Sequence, residues 1–189
     1  MADQPRTDSQ LLAALYQPAR QGDYPRDSRA FVRIDTSLRV YWHSLFDICP
    51  GLLALSGPDG LAIFRPFMAW AVEQGCSFNW AWYLWVDVWL QQSAFRDAVD
   101  DELRYSLMAA SAARWATGDR SRQRGIVLGS AALPDLVCGW KASSLEAGRQ
   151  VERFELEEPL PAPAAAFGYF TSATGDLSDG FPGWTDLPR

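Results

Sequence analysis

Apolar positions recur along this chain with helical spacing in some segments and strict alternation in others, and the longest apolar run decides between them only by its length. That run is FNWAWYLWVDVWLQQ, Phe78 to Gln92. Read as a strand, it places Trp80, Trp82, Leu84 and Val86 on one side and Ala81, Tyr83, Trp85 and Trp89 on the other, so both faces are apolar. Read as a helix, Phe78, Trp82, Trp85 and Trp89 fall at i, i+4, i+7 and i+11 and form one stripe. Length favours the helix. Trp80, Tyr83 and Leu84 make its other face apolar too, as expected of an element at the centre of a domain. A membrane span needs about 20 consecutive apolar residues, whereas this run is shorter and carries Asn79 and Asp87.

The same spacing rules sort the rest. Asp8 or Ser9 can cap a short helix carrying Leu11, Leu12 and Leu15, which Pro18 ends. FVRIDTSLRVYWHSLFDICPG admits a helix capped by Thr36 or Ser37, with Leu38, Trp42, Leu45 and Cys49 on one face. It also alternates as a strand, and the helix is preferred. LLALSGPDGLAIF is two short apolar runs about a turn, either a hairpin or a helix corner. Pro66 suits the first turn of a helix bearing Phe67, Trp70 and Ala71 and closed by Gly75. Ser93 can cap a long helix with Phe95, Val99, Leu103, Leu107 and Ala110 on one side, ending before Gly118. GIVLGSAALPDLVCGW is too broken by Gly and Pro to assign, and RQVERFELEEPL holds a strand. The expected fold is therefore mainly α with α+β character: a helical core around a buried tryptophan-rich helix, with a minor sheet or hairpin. Residues 1–160 are expected to form a single domain. Residues 161–189, rich in Pro, Gly and aromatics, are read as an extension that wraps it in part through Phe167, Tyr169, Phe170, Phe181 and Trp184.

Charge and composition narrow the function. A chain of 189 residues with 48% hydrophobic content can bury one real core. Its net charge of −6 repels nucleic-acid phosphates, so a nucleic-acid partner is not expected and a protein with a basic surface is the natural match. Of 17 basic residues only Lys141 is a lysine, a bias that fits a GC-rich bacterial genome. The start MADQPRTDSQ lacks the basic and apolar regions of a secretory signal. Cys49, Cys76 and Cys138 are odd in number and fit free thiols, so a cytoplasmic location is expected.

Catalytic chemistry has little to work with. His43 is the only histidine, which excludes a zinc site of two or three histidines and leaves one base for any nucleophile. His43 with Asp47 one turn on can form an oriented base, or simply a satisfied pair. There is no CxxC, GxSxG or HExxH motif and no Walker lysine in GIVLGS. No cofactor, metal or catalytic residue is therefore assigned. Two groups remain. Asp87 among Trp82, Trp85 and Trp89 must be paired, neutralised or turned to a crevice; Arg65, Arg96 and Arg104 are available partners. Asp97, Asp100, Asp101 and Glu102 form an acidic run that can pair internally, bind a divalent cation or meet a basic partner, with the cation ranked below the partner because one helix presents too few convergent oxygens. By elimination the expected function is a non-enzymatic protein-binding module such as a bacterial immunity protein or effector-binding adaptor. The alternatives are a small-ligand site or enzyme pocket around Asp87 with His43, and a structural subunit of a phage-like assembly.

Overall fold

The computed structural model describes residues 23–141, 150–174, 176–178 and 180–187. The helix expected after Asp8 or Ser9 lies outside them. The chain divides into two compact units, the first ending at Cys76 and the second beginning at Ser77. No described helix is long and apolar enough to cross a membrane.

In the first unit the helical period prevails. Helix α1, Arg29–Phe46, starts two turns before the expected caps because Ser28 Oγ accepts the Phe31 N–H at 3.1 Å. It buries Ile34, Leu45 and Phe46. Helix α2, Pro50–Ser56, opens on a proline that has no N–H to leave unsatisfied, and stops at Gly57, whose φ of 92° no side-chain-bearing residue adopts readily. Helix α3, Leu61–Glu73, follows at once, so LLALSGPDGLAIF is a helix corner rather than a hairpin. Gly60 is needed there: a Cβ on it would stand 2.6 Å from the Phe46 ring. Trp42 Nε1 ties the corner to α1 by donating to the Asp59 carbonyl at 2.8 Å. Pro66 lies inside α3 instead of opening it. Asp59 Oδ1 and Ser56 Oγ accept the Leu61 and Ile63 N–H groups, and these caps let the helix begin earlier.

The second unit begins with the tryptophan helix, α4, Trp82–Leu90, in which every residue but Val88 is buried. Phe78, expected on its stripe, lies before it; the Phe78 carbonyl accepts from Arg114 Nη2 at 3.0 Å. The long helix does not start at Ser93. Ser93 Oγ accepts from the Phe95 N–H in a tight turn, a 3₁₀ turn covers Arg96–Ala98, and α5 runs Asp101–Gly118. Asp100 is the better cap: its Oδ1 accepts the Leu103 N–H at 2.8 Å, and Asp101 and Glu102 add negative charge where the helix dipole favours it.

A minor sheet was expected, and the structure corrects this. Strands β1 (Gly125–Ser130), β2 (Leu133–Trp140), β3 (Gln150–Phe154), β4 (Phe167–Ser172) and β5 (Thr185–Asp186) form one antiparallel sheet in the order β3-β2-β1-β4-β5. Helix α5 lies on it against β2, β1 and β3. The sheet escaped detection because its centre is buried on both faces: all six residues of β1 are buried, so no alternation marks it. Its glycines, which read as breaks, are seats for neighbours. A Cβ on Gly125 would run into the Trp140 ring, and one on Gly139 would stand 2.6 Å from the Ala112 carbonyl oxygen of α5. Residues 161–189, expected as an extension, supply β4 beside β1 and β5 at the edge.

At the far end of β2, Lys141 Nζ bonds Asp119 Oδ2 and the Ser121 carbonyl and lies 4.9 Å from the Trp115 ring centre, fastening the strand to the end of α5. The Arg153 guanidinium of β3 stacks 3.4 Å from the Tyr105 ring centre and reaches Asp135 Oδ2 at 2.6 Å, which fixes β3 to α5.

Candidate functional site

The hairpin from β1 to β2 sets up a cleft in the second unit. The β1–β2 register shifts between Leu128 and Ser130, just before the turn, and Ser130 Oγ accepts the Ala132 N–H to tighten it. Beyond β3 the chain runs back past this turn as ELEEPLPAP, where prolines at 159, 161 and 163 fix φ and keep it extended. Between the two lies a cleft of about 400 Å³, with Leu133, Leu136, Leu156 and Leu160 among its apolar walls. Trp184 closes one side. Gly129 and Gly168 have no side chains to obstruct it: a Cβ on Gly129 would stand 2.5 Å from the indole ring. Trp184 Nε1 donates to the Pro161 carbonyl at 2.6 Å, and Asp186 Oδ1 accepts the Ala164 and Ala165 N–H groups. The wall is thus built from three separate segments pinned together.

Glu155 and Glu157 stand exposed on the cleft, and none of its described lining residues is basic. Apolar walls with two unbalanced carboxylates suit an apolar chain that carries a positive charge. Sequence reading missed this site. Its signal was present in the proline run following ELEE, but the sheet that brings Gly129 and Trp184 beside it was not recognised.

Asp87 is 5% exposed, inside the unit rather than on an open wall. Of the three arginines considered, Arg104 faces it, with Nε 3.8 Å from Oδ1; Gln91 Nε2 is 3.5 Å from the same oxygen. Burial raises its carboxyl above the ordinary range, outweighing the lowering effects of Arg104 and Gln91. Trp82, Trp85 and Trp89 are all buried, as a core helix requires. His43 belongs to the first unit, where its Nδ1 lies 3.1 Å from Asp47 Oδ2 with both side chains more than half exposed.

The acidic run is engaged largely within the fold. Asp100 caps α5, Asp101 Oδ1 lies 3.5 Å from Arg104 Nη1, and Glu102 Oε2 lies 3.2 Å from Arg153 Nη1. Asp97 sits exposed in the 3₁₀ turn. Burial pushes the Cys49 and Cys138 thiols up to about 12, so neither is a thiolate nucleophile at neutral pH.

No curated protein matches the chain. Residues 21–188 match the family described as methanobactin biosynthesis cassette protein MbnC-like, a span that takes in both units. This finding overturns the expected immunity or effector-binding adaptor function, together with the phage-like subunit, which elimination alone had suggested. Over nearly its whole length the chain belongs to the MbnC-like family of methanobactin biosynthesis cassette proteins.

Proposed function

We propose that this protein takes part in methanobactin biosynthesis, and that it does so by holding a polypeptide partner with a basic surface in the cleft of its second unit. The observation that carries the role is the family match over residues 21–188. Support for the mode of action is chemical. The cleft between the β1–β2 turn and the ELEEPLPAP segment offers apolar walls with Glu155 and Glu157, while the whole chain carries a charge of −6. Such a surface attracts and orients a cationic segment, and the leucines desolvate its apolar side chains.

Two arms of one complementation experiment separate role from mode. Deleting the gene from the native producer should abolish copper-chelating methanobactin in the spent medium, and the unaltered gene should restore it. Glu155→Lys with Glu157→Lys reverses the charge at two exposed positions without touching the core, and should restore less than about a tenth of the product, one decade for roughly 1.4 kcal/mol of lost binding. Production that survives the deletion refutes the role. Full restoration by a folded double variant refutes the cleft and leaves the role standing.

A further inference from the structure

One face of α1 stays in solvent, and its residue pattern is symmetric about its middle. Arg29, Val32, Thr36, Val40, His43 and Asp47 fall at i, i+3, i+7, i+11, i+14 and i+18, which makes one stripe about five turns long, and all six are exposed. The opposite side of the helix is the one that packs, burying Ile34 and Leu45. Val32 is 56% exposed and Val40 60%; with Ile48, just past the helix end, they are the exposed large apolar side chains among the described residues. The two valines stand one turn before and one turn after Thr36. Arg29 begins the stripe, and the Asp47 carboxylate, 3.1 Å from His43 Nδ1, ends it. Beside the stripe, Asp35 and Arg39 pair with each other at 2.9 Å.

We propose that this face of α1 is a contact surface for a second copy of the chain, the two helices packing antiparallel about a two-fold axis at Thr36. A two-fold contact must be self-complementary, since whatever one residue meets, its copy meets again on the other side. Inverted about Thr36, the stripe meets that condition. Val32 of each copy lies on Val40 of the other, and the small Thr36 side chain lets the helices approach at the axis. Arg29 lies opposite His43, within reach of the Asp47 carboxylate that His43 holds. The same alignment sets the positive start of each helix dipole beside the negative end of the other, whereas a parallel pairing would set Arg29 on Arg29 and Asp47 on Asp47. An unlike partner would leave this internal symmetry without a use. The net charge of −6 opposes approach, and a single helix from each copy falls short of the roughly 1,000 Å² expected of a stable interface, so the pair forms and parts freely. The contact uses the first unit alone and is independent of what the cleft holds.

Sedimentation equilibrium of the full chain reads the pairing. The mean mass should equal one chain at about 1 µM and approach two chains at about 500 µM, as a transient contact requires. A chain still single at the higher concentration overturns the pairing. Val32→Asp with Val40→Asp, both at exposed positions, should keep the far-ultraviolet circular dichroism and stay single throughout, and association equal to that of the unaltered chain refutes the face. Arg29→Asp and Asp47→Arg each set like charges together and should weaken pairing about tenfold, while the two changes combined should recover it to within about threefold. Each of these changes suits the helix end it occupies, so the fold is kept. A combined variant that pairs no better than either single one refutes the antiparallel two-fold arrangement.

Discussion

The second unit contains two tryptophan-rich regions that treat their polar atoms in opposite ways. On α4 the rings of Trp82, Trp85 and Trp89 are buried along a helix whose one carboxylate, Asp87, is also buried with its arginine standing off at 3.8 Å, and Trp85 Nε1 is buried with no hydrogen-bond partner among the described residues. Around Trp184 the rings of Phe170 and Phe181 lie 5.4 and 5.1 Å from the indole, and its N–H is taken up by the Pro161 carbonyl. The first region is compact core with a polar group held inside it. The second borders a cleft and is pinned at each polar atom. Aromatic density alone therefore does not mark a ligand site; what marks it here is the relief left open beside the rings.

The contrast can be broken most forcefully at α4. Trp82 is 1% exposed, and Trp82→Ala should cost about 3–5 kcal/mol of stability, read from urea unfolding of the full chain. A loss below about 1 kcal/mol would mean that the helix is not core. Next comes the seat of Trp184. Gly129→Val places a side chain where the indole lies and should cost about 1–3 kcal/mol by overpacking while raising Trp184 accessibility to acrylamide quenching. Unaltered stability with a quenched Trp184 would show a strap that moves freely. The smallest effect, and the most discriminating, concerns Asp87. Its folded carboxyl titrates above the unfolded one, so between those two values the folded chain binds the extra proton and loses stability as pH rises. Asp87→Asn should accordingly gain on the unaltered chain as pH rises through that window and hold its gain above it. A parallel pair of stability curves would mean that Asp87 titrates normally.

What could be read from residues alone follows the same division. The burial of Trp82, Trp85 and Trp89 on one helix and the helical reading of most of residues 31–51 depend on neighbours in sequence or on one local period, and such information survives in a single chain, whereas the choice of Arg104 over Arg65 and Arg96 as the partner of Asp87 came only with the structure. The sheet does not have this property. Its central strand is buried on both faces, its glycines exist to admit Trp140, Trp184 and the backbone of α5, and its partners come from segments up to dozens of residues apart. A glycine that seats a distant ring is indistinguishable, in one sequence, from a glycine that breaks a strand. The cleft inherits that blindness, since Gly129 and the proline segment meet only once β4 has paired with β1. The acidic run left its choice open in sequence, between internal pairing and an outward partner, and in the structure much of its charge caps α5 or meets Arg104 and Arg153.

The lone lysine has a use beyond its structural bond. Lys141 is 17% exposed and held by Asp119 and the Trp115 ring, so an acylating reagent reaches its amine chiefly when the seam between α5 and the end of β2 opens. With no other lysine side chain to compete, the pace of that acylation becomes a clock for the opening of the seam, read by mass at the peptide that carries Lys141 so that reaction of the α-amine is counted apart.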